Sequence, residues 1–435
     1  MFRAALLILL ATPCLAAELP PPLEQDDFAK HSESEITLGQ LLFYDPILSG
    51  NREVSCATCH HPRFATGDGL ALGVGDGGKG LGPKRVADPD NPPEARIPRN
   101  APPLFNLSHR GVTVLFHDGR IEVDESRPSG IRTPLDADME QGFASLLSAQ
   151  TMFPVLSPDE MAGHYQENEI AKLVRQGRLT GPGGAWDAIA SRVAAIPEYK
   201  ARFTTAYPAI ADGKPIGFTD ISNAIAAFMA HEWQATDSPF DRYLRGEAAL
   251  SEAQSDGLRL FYGDAGCATC HAGPLLSDMG FHAMGAPQIG PGKAAAFEDH
   301  QRDTGRMRVT GRTEDAYAFR TPMLRNVTRT GPWGHAGAHA DLRAFLRDHA
   351  EPRAGLARYE DLPPLPQMDG IVDDRWALDS DERAAIADAA PEGRALTEPE
   401  LDALLAFLDA LTDPASISGR LGVPDSVPSG LPVAR

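Results

Sequence analysis

The sequence predicts a mainly α protein in which two copies of one helical unit follow one another, joined by long ordered loops. Three observations carry this. The pentapeptide Cys-Ala-Thr-Cys-His occurs twice, at 56–60 and 267–271. Each occurrence is led in by a similar segment, LGQLLFYDPILSGNREVSCATCH over 38–60 and GLRLFYGDAGCATCH over 257–271. Each copy also closes alike, with ISNAIAAFMAHEW over 221–233 and ELDALLAFLDAL over 400–411. Both stretches place apolar residues at i, i+3 and i+4, as a helix with one buried stripe requires. A chain of 435 residues also exceeds what a single hydrophobic core usually supports.

Taken in chain order, residues 1–17 read as a secretory signal peptide. One Arg precedes an apolar run from Ala4 to Ala11 that is too short to span a bilayer, and small residues follow, with Cys14 and Ala16 at the cleavage positions. Pro13 speaks against lipidation of Cys14. No later stretch is long and apolar enough for a membrane helix. Cleavage leaves four of the five cysteines, and 39 basic side chains against 60 acidic, a formal charge of −21. Such a surface excludes nucleic acid as a partner, because neutralising phosphates needs a basic face. The exported chain is expected in a bacterial periplasm. Its first unit spans 18–235, its second 236–420, and 421–435 form a tail. The second unit opens on a capping box, Ser251 with Gln254 three residues on. The Gly- and Pro-rich stretches 73–85 and Glu351–Gly355 are expected to be loops, and strand signals are few and short.

Cys-x-x-Cys-His is the attachment sequence of a c-type haem: two thiols form thioethers to the vinyl groups and the adjacent His ligates the iron. A disulfide or redox dithiol is the other use of such a pair. Four thiolates around zinc would need pairs far closer than these, which lie more than two hundred residues apart. A duplicated motif behind an export signal favours two covalently bound haem c groups. One is held by Cys56 and Cys59 with His60 as proximal ligand, the other by Cys267 and Cys270 with His271. Each unit is then a cytochrome c-type haem domain. Function turns on the sixth iron position, since a six-coordinate haem passes electrons and an open one admits peroxide.

Further segments are collinear with a known family. RNAPPLFNL (99–107), LFHDGR (115–120) and LSPDEMAG (156–163) resemble the peroxidatic half of bacterial dihaem cytochrome c peroxidases and their MauG-like relatives. DTGRMRVT (303–310), FRTPMLRNVTRTGPWGHAG (319–337) and LRAFLRDH (342–349) resemble the other half. The resemblance implies that the first haem is the peroxide site. It makes Glu160 the acid–base carboxylate, with Gln150 and Pro154 at further distal-pocket positions. Read from the residues alone, Glu160 is a helix N-terminal carboxylate after Ser157-Pro158, worth about 0.3–1 kcal/mol. The second haem corresponds to the electron-transfer centre, whose sixth ligand falls by register on His349, at the end of a helical run. Met323, Met284 and Tyr359 are the alternatives, and a His there also suits a helix C-terminus on dipole grounds alone. Two His ligands lack the thioether that raises potential. The resemblance further implies calcium, with Asn100 as side-chain ligand and Thr330 and Pro332 as carbonyl ligands; hard oxygen donors suit that ion. The same RN-x-P stretch also makes a plausible turn.

Three departures matter. From Pro62 to Ser108 there is no His to block the first iron, so it is expected to rest open to peroxide. His117 stands where the family has a Trp between the haems, which speaks against radical hopping through that position. The insert from Glu122 to Ser148 has no counterpart. The expected function is a periplasmic peroxidase that reduces hydrogen peroxide with electrons from a small redox protein, a cytochrome c or a cupredoxin. The alternative is a MauG-like oxidase that modifies aromatic residues of a partner protein. A dihaem electron carrier without catalysis is a third reading. The acidic surface calls for a donor with a basic face, and a homodimer is left open.

Overall fold

In both halves a glycine decides how two helices meet. The computed structural model describes residues 18–293, 302–360, 362–366, 368 and 380–435, so the proposed signal peptide lies outside the described residues. Helix Glu33–Tyr44 packs along helix Phe218–Glu232, and helix Glu252–Tyr262 packs along helix Glu398–Asp409. A Cβ on Gly39 would press onto the carbonyl of Ala224 and lie 2.8 Å from Phe228 Cβ. One on Gly257 would press onto the carbonyl of Ala403 and lie 2.7 Å from Phe407 Cβ. The two crossings match residue for residue, and the aromatic pairs beside them match too: Phe43 with Phe228 at 5.4 Å, Phe261 with Phe407 at 5.1 Å. The repeat seen in the sequence is therefore a repeat of packing.

Gly39→Ala and Gly257→Ala are each expected to destabilise the protein by about 1–3 kcal/mol, the cost of overpacking a tight core. That exceeds the roughly 1 kcal/mol by which alanine otherwise favours a helix. Urea unfolding that finds either variant more stable would show that the helices can separate freely.

Helix dominates among the described residues, at 41% against 6% strand. The predicted cap forms: Ser251 Oγ accepts from Gln254 N–H at 3.2 Å, and Gln254 Oε1 accepts from Ser251 N–H at 3.0 Å. One core gathers Leu38, Leu42, Phe43, Trp186, Phe228 and Trp233, and a second gathers Phe240, Phe261, Leu404, Phe407 and Leu411. A smaller cluster joins the halves, with Ala71 and Leu72 from one and Ile289, Ala336 and Tyr359 from the other. Strands are two or three residues long. Part of the 122–148 insert adds Ile131–Arg132 to the sheet of Val114–Leu115 and Ile121–Val123. No described helix is long and apolar enough to cross a membrane.

One expectation is corrected. The stretch at Glu351–Gly355 is not a loop but enters helix Pro352–Arg358. Proline at the first helical position forfeits no hydrogen bond, and Arg, Ala and Leu carry the turn onward.

Residues 421–435 fold back onto the first half. The Glu232 carboxylate accepts from the N–H groups of Leu421 and Gly422 at 2.7 and 2.8 Å. Gln40 Nε2 donates to the Gly422 carbonyl at 2.8 Å, and Ser429 Oγ donates to Asp45 Oδ1 at 2.6 Å. Val427 is buried in the first core, with Leu431 and Val433 packed on it.

Candidate functional site: two Cys-x-x-Cys-His centres

Each pentapeptide is a single tight turn. In the first, Cys56–Cys59 is one helical turn, and His60 N–H donates to the Cys56 carbonyl at 2.9 Å. In the second, Cys267–Thr269 is a 3₁₀ turn, and His271 N–H donates to the Cys267 carbonyl at 2.9 Å. Both histidines are then held the same way. His60 Nδ1 lies 2.9 Å from the Thr66 carbonyl and His271 Nδ1 lies 3.0 Å from that of Leu276. A nitrogen facing a carbonyl must carry the proton, so Nε2 keeps its lone pair for a metal. Burial lowers the pKa of both imidazoles and keeps them neutral, the ligating form.

Among the described residues no two cysteines are joined in a disulfide, despite the Cys-x-x-Cys spacing. Burial pushes Cys56 and Cys59 up to about 12 and Cys267 up to about 11. A redox dithiol or a zinc thiolate wants the opposite environment, one that stabilises the anion. The donor set therefore fits thioether attachment of haem with an imidazole below it.

The two centres differ opposite that imidazole. At the second, a cavity of about 430 Å³ is lined by Cys267, Cys270, His271 and His349 with walls such as Phe261 and Leu404. His349 is the next-to-last residue of helix Leu342–Ala350 and faces His271 with ring centres 6.3 Å apart. Two metal–nitrogen bonds of about 2 Å, plus about 1.1 Å from each nitrogen to its ring centre, give roughly the same span. His349 stacks on Phe345 at 5.3 Å, and burial lowers its pKa to about 4, assisted by the neighbouring His271 and His339. Met284 and Met323 line the same cavity. The Tyr359 hydroxyl donates instead to the Ala338 carbonyl at 2.7 Å.

Near the first centre lies a buried carboxyl. Glu160 lies on the π-turn Pro158–Ala162, a wide turn that recurs at functional sites. Loops flanking the first motif grip this turn. Asp76 N–H donates to the carbonyls of Asp159 and Glu160, both at 3.1 Å, and Gly50 N–H to that of Met161 at 2.7 Å. Gly75 leaves no room for a side chain, since a Cβ there would lie 2.8 Å from Glu160 Cα. Arg85 folds this loop around itself, donating to the carbonyls of Val74, Gly75 and Gly80. Burial raises the Glu160 pKa, while Lys293 and Arg120 oppose the rise. Its charge in turn raises the Cys59 thiol, which puts carboxyl and haem-bearing turn in one locale. Gln150 sits half-buried on helix Leu146–Thr151, just before the turn Pro154–Leu156 that packs against Glu160's turn.

Asn100, Thr330 and Pro332 also line the 430 Å³ cavity, together with His117 and His335. The Asn100 amide donates to the Leu70 carbonyl at 2.7 Å, and its N–H to that of His335 at 2.9 Å. His117 Nε2 lies 3.2 Å from the Asn100 carbonyl, and burial takes its pKa to about 3.

Sequence reasoning missed the charged seam beneath. Arg99 is 6% exposed, binds both carboxylate oxygens of Asp303 at 2.7 Å and meets Asp118 at 2.8 Å. All three residues lie inside the segments quoted for the resemblance, which was the available signal. Lys293 had none, being one lysine in a glycine-rich loop.

Comparison with known proteins agrees with this geometry. The family model described as di-haem cytochrome c peroxidase matches residues 33–249. The methylamine utilization protein MauG of Methylorubrum extorquens is 30% identical over 72% of this chain and 68% of its own. The cytochrome c551 peroxidase of Pseudomonas aeruginosa is 30% identical over 72% of this chain and 70% of its own. A solved MauG-like protein associated with microbial copper homeostasis superimposes with a TM-score of 0.58 at 27% identity, over 94% of this chain and 96% of its own. The chain belongs to the di-haem cytochrome c peroxidase family that includes MauG, an oxidoreductase family whose members carry two haem c groups.

Proposed function

We propose that this protein is a periplasmic peroxidase that reduces hydrogen peroxide to two waters, taking two electrons and two protons per turnover from outside. The observation that carries the reading is the unequal distal side: a buried carboxyl, Glu160, at the first centre, and an imidazole, His349, at the second. Cys56, Cys59 and His60 would hold one haem, and Cys267, Cys270, His271 and His349 the other. When bound, these groups supply Lewis-acid and one-electron chemistry. Glu160 takes a proton from one peroxide oxygen and returns it to the other, which departs as water. Gln150 and Pro154 shape that pocket. Asn100 with the Thr330 and Pro332 carbonyls offers oxygen donors for calcium.

The test is stopped-flow mixing of the oxidised and half-reduced protein with hydrogen peroxide and a reduced small cytochrome or cupredoxin. Rapid donor oxidation supports the peroxidase. A long-lived oxidised state with slow donor turnover supports the MauG-like reading, oxidation of a partner protein's aromatic residues, which the absence of His from Pro62 to Ser108 favours. His117 in place of Trp counts against hopping in that reading. With a formal charge of −20 over the whole chain, donor oxidation is expected to slow steeply as ionic strength rises. Replacing His349 by Met is expected to raise the potential of the second haem, read by spectroelectrochemistry. An unchanged potential would mean that His349 is not a ligand.

A further inference from the structure

A charge taken out of water calls for an opposite charge beside it. The 430 Å³ cavity at the second centre can be checked for such partners residue by residue. Leaving histidines aside, its charged lining is Arg320, Arg325, Asp348 and Arg394. Three of these are matched. Arg325 meets Asp241 at 2.5 Å, Arg394 meets Glu400 at 3.0 Å, and Asp348 meets Arg358 at 2.6 Å.

Arg320 is the exception. Its backbone is fixed, because strand Phe319–Arg320 pairs with Phe281–His282 and Arg320 N–H donates to the His117 carbonyl at 2.8 Å. Its side chain meets only neutral groups among the described residues. Nε donates to the Phe116 carbonyl at 3.3 Å and Nη1 to the Thr321 carbonyl at 3.1 Å, with Met279 Sδ at 3.9 Å. Nη2 is left without a bond there, and no carboxylate lies within ion-pair distance. Burial alone lowers the pKa, to about 10, so the group is still a cation at neutral pH. A second polar group of the lining is also unmet. His335, 5% exposed and stacked on Phe319 at 3.8 Å, has both ring nitrogens unbonded.

We propose that Arg320 is a binding residue for the second haem, its guanidinium pairing with a propionate carboxylate. This rests on the placement of that haem on Cys267, Cys270 and His271. A haem brings two propionates with it, and a guanidinium is shaped to take a carboxylate through parallel N–H bonds. The pairing also acts on the iron. A propionate left uncompensated favours the ferric form, which carries the extra positive charge, and Arg320 cancels that bias. It thus offsets part of the lowering that a second imidazole ligand imposes.

The experiment compares the holoenzyme with Arg320→Met and Arg320→Lys. The potentials of both haems are read by spectroelectrochemistry, and haem carboxyls labelled with carbon-13 are followed in redox infrared difference spectra. In Arg320→Met the ferric form of the second haem should gain about tenfold over the ferrous, about 59 mV for one electron, with the first haem unmoved. A labelled band of protonated carboxyl, absent from wild type, should appear on reduction. Arg320→Lys should restore the potential and remove the band. An unchanged potential of the second haem, a shift without the labelled band, or a shift confined to the first haem would each overturn the pairing. Peptide mass spectrometry that finds no haem on Cys267 and Cys270 would overturn the placement of the haem, and this proposal with it.

Discussion

Glu160→Gln is expected to slow peroxide turnover by about 10²–10⁴-fold, the range over which a positioned acid–base group acts. Glutamine keeps the shape of the side chain and its capacity to hydrogen-bond but neither accepts nor returns a proton at working pH. The turn that carries it is fixed by main-chain bonds from Asp76 and Gly50, so the substitution leaves the backbone of the site in place. Both haems should remain attached, because Cys56, Cys59, Cys267 and Cys270 sit on separate turns. Single-turnover absorption traces should therefore show unaltered resting spectra and a slowed first step. A rate within threefold of wild type would assign the proton transfer to another group.

Arg99→Leu is expected to cost about 3–5 kcal/mol, the penalty for removing one partner from a buried ion pair. The magnitude follows from what is left behind. Asp118 retains Arg120 at 2.9 Å, but Asp303, 1% exposed, loses both of its bonds to the guanidinium. Gly305 N–H at 3.1 Å does not replace a charge. Arg99 holds the carboxyls of Asp118 and Asp303 well below the usual carboxylate range. Groups with depressed folded-state pKa values stabilise above the unfolded value, and that contribution is lost as pH falls through the folded one. The gap between wild type and Arg99→Leu in urea unfolding should thus be full at pH 7 and shrink on acidification below about pH 4. A gap that is constant with pH would mean that lost packing, not charge, sets the cost.

What could be read from the sequence was what local chemistry dictates. The haem-binding turns, the Ser251 cap and the closing helices each depend on residues within a few positions of one another. The position of His349 facing His271 was legible because helical period and register agreed on it. The 352–358 helix was misread because proline was taken as a breaker where it is a starter. Glu160 was singled out only through resemblance, since the hold on its turn comes from Gly75 and Asp76, more than eighty residues earlier. The Arg99 seam was illegible for the same reason: its bonds to Asp303 cross more than two hundred residues, and long-range charge pairing leaves no period in a sequence.

The return of residues 421–435 bears on the order in which the molecule can be made. Chains fold roughly from the N-terminal side as they emerge. Here the first half is synthesised long before Val427 can fill its core and Ser429 can bind Asp45. Until then the apolar notch that Val427 fills stands open in the first half, while Asp45 keeps its bonds from Ile47 and Tyr199. The clasp can shut only after both Cys-x-x-Cys-His turns have been synthesised. Two such chains held at high concentration in that interval have an obvious way to go wrong, each lending its clasp to the other.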